Sequence, residues 1–251
     1  MRWLRCWPSV RPRPLLLRTL AAVLTSASMA LAAGQPQDVS LRTDDGVSIA
    51  GTLYTTARPG PAVILLHMLS RTRTDWQAVA VRLADAGITA LAIDLRGHGA
   101  SDPGPSGSTL EDLTPMVADV KAARAYLASR RDIVGGRVGI AGASIGANLA
   151  VLYAATDPTV RSLALLSPGI DYRGLRPEAA MRKYGDRPAL LMSSQEDNYA
   201  TSSVRQLAAG GPGFGVRELH ALSGAGHGTT MLVRQPDTIA VLVDWFRRTL
   251  L

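Results

Sequence analysis

A serine stands between two glycines in the pentapeptide Gly-Ala-Ser-Ile-Gly at positions 142–146. The residues before it, from Val138 onward, are apolar or Gly, as in a strand buried on both faces. The residues that follow are good helix formers. A sharp turn from a strand into a helix exposes a serine hydroxyl as a nucleophile, and flanking glycines let the strand and the helix pass closely at the strained turn. The pattern therefore predicts that Ser144 is a nucleophile.

Two other interpretations of this turn remain open at the level of sequence. Gly139, Gly142 and Gly146 also follow a strand and open a helix, as in a glycine-rich dinucleotide-binding loop. Ser144, however, stands where the second glycine of Gly-x-Gly-x-x-Gly should be, so the spacing does not fit that loop. The pentapeptide can also be a purely structural turn.

A serine hydroxyl needs a base within hydrogen-bond reach before it can act as a nucleophile near neutral pH. The chain has four histidines. His227 lies in the glycine-lined segment 223–228, between the last predicted strand, at 216–222, and the last predicted helix. Such a loop can carry an imidazole over the sheet, so His227 is the predicted base. His220 lies within the strand itself and is the lesser candidate.

An acid that orients the base should follow a neighbouring strand at the same edge of the sheet. The predicted strand 189–193 leads into a short polar segment that contains Glu196 and Asp197. Asp197 is the first candidate for this role and Glu196 the second. Asp171, which follows the preceding strand, is the third. An acid in these loops that does not orient the base is expected to be simply solvated.

The elements that must position these residues alternate between strands and helices. Segments 39–43 and 47–54 alternate apolar and polar residues around Asp44-Asp45-Gly46, which predicts a hairpin at one edge of the sheet. Unbroken apolar runs predict buried strands at 62–67, 88–94, 138–143, 160–166 and 189–192. Helices are expected at 75–86, 110–130, 145–156, 177–184 and over the C-terminal residues up to Leu250. The predicted fold class is α/β, with a mostly parallel central sheet, helices on both faces and an N-terminal antiparallel hairpin.

The order Ser144, Asp197, His227 along the chain resembles the triad of the α/β-hydrolase fold. Two further segments agree with this resemblance. Residues 65–69, Leu-Leu-His-Met-Leu, are similar to the family's strand followed by His-Gly-x, and residues 94–101, Asp-Leu-Arg-Gly-His-Gly-Ala-Ser, closely match its Asp-x-Arg-Gly-His-Gly-x-Ser loop. The resemblance extends over about residues 39–250. It implies a serine hydrolase of esterase type with a small lid or none.

The resemblance also implies an oxyanion hole formed by the backbone N–H groups of Leu69 and Ile145. Met68 replaces the usual glycine of the family, which is expected to narrow the approach to this loop and to place a thioether at the pocket wall. His67 and His98 are expected to hold their loops. Four scattered histidines without a metal-binding spacing do not favour a zinc site, so no metal and no cofactor is expected.

Residues 1–32 read as a signal peptide. Residues 1–18 contain five Arg and no acid, residues 19–32 are uncharged, and Ala30-Leu31-Ala32 is a small-residue cleavage site. Cleavage leaves 33–251 as one α/β-hydrolase domain, exported to the periplasm or secreted, with no stable membrane span. An uncleaved signal anchor is the alternative. The sole cysteine, Cys6, lies inside the signal.

Removal of the five Arg lowers the formal net charge from +7 to +2, so the basic precursor does not indicate a nucleic-acid partner. The expected partner is a small-molecule ester. Only about 20 residues separate Ser167 from Pro188, which is too short for a large lid and favours carboxylic esters of short or medium size. An amidase, a thioesterase or a C–C bond hydrolase on the same triad is the first alternative, and a non-catalytic binding module is the second.

Overall fold

The computed structural model describes residues 35–104, 109–209 and 215–251. The predicted signal peptide, residues 1–32, lies outside these ranges. Its cleavage, the boundary at residue 33 and the export of the protein therefore stay predictions. None of the helices in the described ranges has the length and the apolar character that a membrane span requires.

A central sheet runs through the described residues. Its strands are β1 (Gln37–Arg42), β2 (Ser48–Tyr54), β3 (Gly60–Leu66), β4 (Thr89–Ile93), β5 (Ile133–Ala143), β6 (Val160–Leu166), β7 (Ala189–Ser194) and β8 (Arg217–Leu222). They lie in the order β1-β2-β4-β3-β5-β6-β7-β8. The pairs β1–β2 and β2–β4 are antiparallel, and all other neighbours are parallel. This confirms the mostly parallel sheet with an N-terminal antiparallel hairpin.

Helices cover both faces of the sheet, as predicted. Two short turns of 3₁₀ helix, Arg73–Trp76 and Thr114–Met116, precede α1 and α3. The helices are α1 (Gln77–Asp85), α2 (Leu110–Leu113), α3 (Val117–Ser129), α4 (Ile145–Ala154), α5 (Glu178–Tyr184), α6 (Asn198–Ala208), α7 (Thr230–Arg234) and α8 (Asp237–Leu250).

Alternate residues of β3 explain why its sequence is apolar throughout. Ala62, Ile64 and Leu66 point into the core beneath α2 to α6, which we call the α3/α4 core. Val63 and Leu65 point into the core beneath α1, α7 and α8, which we call the α1/α8 core. All five side chains are fully buried. Because successive strand residues face opposite sides of a sheet, a strand between two cores must be apolar at every position.

The structure differs from the sequence prediction in two helical segments. The helix expected over residues 110–130 is split into α2 and α3 by the turn Thr114–Met116, because Pro115 has no backbone N–H to continue an α-helix. Helix α6 was not predicted. Its apolar positions Ala200, Val204 and Leu207 are buried at helical spacing, and they are separated by polar residues that conceal this pattern in the sequence.

The packing of β5 against α8 depends on Gly139. A Cβ atom at this position would lie 2.6 Å from Cε1 of Phe246, whose ring is fully buried. We expect Gly139→Ala to lower the free energy of unfolding by about 1–3 kcal/mol, because the ring cannot move without disturbing a filled core. Urea denaturation followed by circular dichroism measures the change.

The matched control is Gly135→Ala in the same strand, where an added Cβ meets nothing within 4 Å. This substitution should leave the free energy of unfolding nearly unchanged or slightly higher. Equal destabilisation by both substitutions would show that contact with Phe246 is not the cause.

Candidate active site

Ser144 lies at the sharp turn between β5 and α4. Its backbone has φ 52° and ψ −115°, a conformation that costs a non-glycine residue about 1–3 kcal/mol. The Ser144 amide donates a 2.8 Å hydrogen bond to the carbonyl of Leu166 at the end of β6. Ser144 is half-buried, and its hydroxyl makes no hydrogen bond to the described part of the chain. The structure thus presents this hydroxyl on a strained turn that β6 holds in place.

The two glycines that flank Ser144 are required by close backbone packing. A Cβ atom on Gly142 would overlap the backbone of Gly146, and a Cβ atom on Gly146 would lie 2.5 Å from the carbonyl oxygen of Leu66. No larger residue fits either position without a shift of backbone. The predicted reason for the glycines is confirmed, because β5, α4 and the end of β3 meet here.

Asp197 and His227 form a direct pair. Oδ2 of Asp197 lies 2.5 Å from Nδ1 of His227, and Oδ1 accepts a 3.2 Å hydrogen bond from the amide of Ala200 at the start of α6. Both carboxylate oxygens are therefore in use, which fixes the orientation of the carboxylate. The Asp197 side chain is 17% exposed and the imidazole is 46% exposed, so the predicted base faces solvent and the predicted acid is largely covered.

Residues 223–229, which we call the histidine loop, pack beside the turn at Ser144. The amide of Gly228 donates a 3.0 Å hydrogen bond to Oγ of Ser167, which follows β6. A Cβ atom on Gly228 would lie 3.5 Å from Cβ of Ala143, the residue directly before Ser144. The segment that carries His227 is thus in contact with the segment that carries the serine.

The other candidate acids have different partners. Glu196 accepts hydrogen bonds from the amide of Gly224 at 2.8 Å and from Oγ of Ser194 at 2.5 Å. It therefore anchors the histidine loop without contacting the imidazole. Asp171 forms an ion pair with Arg176 at 2.6 Å. Of the three acids considered from sequence, Asp197 is the one paired with His227.

The remaining histidines have partners away from Ser144. Nε2 of His220 lies 2.8 Å from Oε1 of Glu218 on the edge strand β8. His67 is buried, with Nδ1 donating to the carbonyl of Met68 at 2.7 Å and Nε2 accepting from the amide of Leu95 at 2.9 Å. Burial lowers the pKa of His67 to about 4, so its ring is neutral near neutral pH, as the hydrogen bonds require.

His98 also holds the segment after β3. Its Nε2 accepts a 3.2 Å hydrogen bond from the amide of Ser70, and its Nδ1 donates to the carbonyl of Arg96 at 3.0 Å. With the bond from His67 to the amide of Leu95, these contacts join the loop after β3 to the loop after β4. The expectation that both histidines hold their loops is confirmed.

Residues 67–76, which we call the oxyanion loop, carry the first predicted oxyanion donor, Leu69. The loop turns at Met68–Arg71 through a 3.2 Å hydrogen bond between backbone groups. Ile145, the second donor, is the first residue of α4, where helix amides have no intrahelical acceptor. Neither the Leu69 nor the Ile145 amide donates a hydrogen bond to another described residue. The close contact of Gly146 with β3 brings the two segments together.

The side chain of Met68 packs toward the α1/α8 core, where it lies against the histidine loop. A Cβ atom on Gly228 would lie only 2.6 Å from its sulfur. The thioether therefore supports the loop that carries His227. No group of three or more His, Cys, Asp or Glu side chains within the described ranges could hold a metal ion.

A family model described as "Serine aminopeptidase, S33" (Hydrolase_4) matches residues 57–206, more than half of the chain. The chain belongs to this α/β-hydrolase family. Membership disfavours the dinucleotide-binding interpretation of the glycines around Ser144. The matched residues of the hydrolase include Ser144 and Asp197, and the histidine loop follows them in the chain.

Curated relatives match over part of their length. The hydrolase is 33% identical over 158 residues to an uncharacterized protein of Mycobacterium tuberculosis, covering 62% of this chain and 53% of the relative. It is 28% identical over 156 residues to the thiohydrolase apmlB of Arthrinium phaeospermum, covering 61% and 50%. The hydrolase thus spans about half the length of the curated relatives it matches.

Among solved structures, an esterase of Pyrococcus furiosus superposes with a TM-score of 0.69 at 17% identity, covering 86% of this chain and 91% of that one. At this identity the likeness shows the fold alone. It agrees with the family match that the hydrolase has an α/β-hydrolase fold.

Sequence reasoning missed the polar residues that hold the histidine loop of the hydrolase. Oγ of Ser194 accepts a 3.0 Å hydrogen bond from the amide of Ala225 and donates to Glu196, while Ser167 binds Gly228. Ser167 directly follows β6 and Ser194 is the last residue of β7, at the same edge of the sheet as Asp197. Their position at the carboxyl ends of these strands was the available signal, because loops past the carboxyl ends of parallel strands meet there.

The anchoring of the histidine loop predicts a pH dependence of stability. Hydrogen bonds from Ser194 and the backbone lower the pKa of Glu196 to about 2, from 4.5. A lowered carboxyl pKa stabilises the fold above about pH 4.5, and this contribution is lost as pH falls toward 2. The difference in unfolding free energy between wild type and Glu196→Gln should therefore grow from pH 2 to 4.5 and then level off, as urea denaturation at each pH measures.

Glu178→Gln, an exposed position in the first turn of α5, is the matched control for a Glu-to-Gln change away from the loop. If Glu196→Gln follows this control at every pH, Glu196 does not anchor the histidine loop through its charge.

Proposed function

We propose that this α/β hydrolase cleaves carboxylic esters of short or medium size through an acyl-enzyme on Ser144. The observation that carries the proposal is the 2.5 Å hydrogen bond between Asp197 and His227. His227 lies on the histidine loop, which contacts the residue before Ser144. A carboxylate that orients an imidazole beside a serine hydroxyl is the arrangement that serine hydrolases use.

The hydrogen bond to Asp197 assigns the roles of the two nitrogens of His227. Nδ1 carries the proton shared with the carboxylate, so Nε2 is the nitrogen with a free lone pair. In the proposed reaction Nε2 takes the proton of the Ser144 hydroxyl while Oγ attacks the ester carbonyl carbon. The alcohol leaves with that proton, and water then attacks the acyl-enzyme by the same route, releasing the acid. The hydroxyl of Ser144 makes no hydrogen bond to His227 in this structure. Catalytic hydrogen bonds between a base and a nucleophile often form or tighten only when substrate binds.

The amides of Leu69 and Ile145 are proposed to bind the oxyanion of the tetrahedral intermediate. Two observations support this role. Neither amide has a hydrogen-bond acceptor among the described residues, and the segments that carry the two amides contact each other through Gly146. Donors that are already in place stabilise developing charge without reorganisation, an effect worth about 3–4 kcal/mol per donor in other serine hydrolases.

The connection between β6 and β7 supports substrates of modest size. It holds only a tight turn, in which Tyr172 pairs with Leu175, and the seven-residue helix α5. The exposed imidazole of His227 agrees with an open site. Thioesters and amides are the second candidate class, because one relative is a thiohydrolase and the matching family model is described as a serine aminopeptidase.

Replacement of the proposed nucleophile gives the primary test. Ser144→Ala should reduce ester hydrolysis to background, a fall on the order of 10⁶-fold, and abolish labelling by a fluorophosphonate probe. The measurements are hydrolysis of p-nitrophenyl acetate, butyrate and octanoate, matched thioesters and anilides, and mass spectrometry of the labelled peptide.

Ser129→Ala, an exposed serine at the end of α3, is the matched control and should behave as wild type. Labelling and turnover that persist in Ser144→Ala would reject Ser144 as the nucleophile. A wild type that neither reacts with the probe nor hydrolyses any substrate of the panel would indicate a binding module on a hydrolase scaffold.

The assignment of the acid is tested by two adjacent amide substitutions. Asp197→Asn should lower kcat by about 10³- to 10⁴-fold, because the amide no longer favours the correct tautomer of His227. Glu196→Gln keeps an acceptor for the loop and should lower kcat by no more than about tenfold. Steady-state kinetics on one ester compares them, and the reverse ranking would assign the role to Glu196.

A further inference from the structure

Asp75 carries a nearly buried carboxylate that no step of the proposed mechanism uses. Its side chain is 8% exposed. Nε and Nη2 of Arg71 donate to it at 2.9 and 2.7 Å, and Oγ1 of Thr229 donates at 2.5 Å. Burial raises the pKa of Asp75, but the hydrogen bonds from Arg71 and Thr229 outweigh it and the pKa is lowered. A buried charge is retained only where it is paired and hydrogen-bonded, as it is here.

Thr229 directs its hydroxyl away from its own helix. It directly precedes α7, where a threonine commonly caps the free amides of the first turn with its side chain. No such bond is formed, and the hydroxyl reaches Asp75 instead. Thr229 is only 3% exposed and lies two residues after His227. The end of the histidine loop is thereby fixed to a distant segment.

That distant segment is the oxyanion loop. Asp75 lies six residues after Leu69, while Asp75 and Thr229 are 154 residues apart in the sequence. A second contact joins the same two loops, since the sulfur of Met68 packs against Gly228. One polar contact and one apolar contact therefore connect the loop with the proposed oxyanion donor to the loop with the proposed base.

We propose that the hydrogen bond between Asp75 and Thr229 is a positioning contact, which fixes His227 relative to the amide of Leu69. The inference rests on the proposed function. The imidazole must reach Oγ of Ser144 in the same complex in which the amide reaches the oxyanion, and an error of about 1 Å in such an arrangement costs roughly 100-fold in rate. The side chains of Asp75 and Thr229 make no hydrogen bond to Ser144 or to the imidazole of His227, so they act through the two loops.

The test replaces the hydroxyl of Thr229 with a methyl group of similar size. Thr229→Val should lower kcat for a p-nitrophenyl ester by about tenfold to hundredfold and leave KM nearly unchanged. Thr229→Ser retains the hydroxyl and should restore most of kcat. Hydrogen exchange followed by mass spectrometry should show faster exchange in residues 223–229 of the valine variant and not in the serine variant.

Thr159→Val is the matched control. Oγ1 of Thr159 donates to Asp157 at 2.5 Å, the same bond type and distance, and also accepts from Arg124 at 2.9 and 3.2 Å. Thr159 lies just before β6, whereas Ser144 binds the other end of that strand. Both valine variants are expected to lower the melting temperature, but only Thr229→Val should lower kcat. If either valine variant is not recovered folded, the alanine variants of both threonines replace the pair.

Three outcomes overturn the inference. The first is a wild-type kcat in Thr229→Val, and the second is an equal loss of kcat in Thr229→Val and Thr159→Val. The third is a kcat in Thr229→Ser that stays as low as in Thr229→Val. Fluorophosphonate labelling of the wild type separates these from a failure of the proposed function. An unlabelled and inactive wild type rejects the proposed function together with the inference, whereas a labelled wild type with an unaffected Thr229→Val rejects the inference alone.

Discussion

The left-handed backbone at Ser144 is the constraint on which the rest of the structure depends. A strained residue persists only where its surroundings leave it no alternative. Here the alternatives are removed by close packing of Gly142 against Gly146, by contact of Gly146 with the carbonyl of Leu66, and by the bond from the Ser144 amide to β6. Each of these needs strands that do not shift, which the two apolar cores on either side of the sheet provide.

The loops past the ends of the strands are held mainly by buried polar contacts. His67 stays neutral and binds the amide of Leu95, and the fully buried carboxylate of Asp94 accepts the amides of Arg73 and Ala100 at 2.7 and 2.9 Å. Asp197 supports α6 with one oxygen and His227 with the other. Since unpaired buried groups are costly, each of these contacts favours one loop conformation over others.

Local sequence patterns predicted much of the fold and three of the site residues. They did not predict the contacts between segments that are far apart in the sequence. Continuous apolar runs identified the buried strands, and the glycines around Ser144 identified the turn. The strand before them placed both Asp197 and Glu196 at the right edge of the sheet, and only the contacts separate them, since Asp197 binds the imidazole of His227 and Glu196 binds the amide of Gly224. The bond between Asp75 and Thr229 joins residues with no common local pattern. The sequence pattern does not predict helix α6, which Asp197 caps, because polar residues separate its buried apolar positions.

The two cores divide the support of the site between the layers of the molecule. Leu69 and Ile145 pack on the α3/α4 core, as does α5 in the connection that follows β6. Met68, which contacts the histidine loop, and Ala225, which belongs to it, pack on the α1/α8 core. In the proposed site, Leu69 and Ile145 and the connection after β6 are thus supported by one layer, and the loop that carries His227 is supported by the other. Looser packing in either layer would therefore displace one group of proposed functional residues against the other.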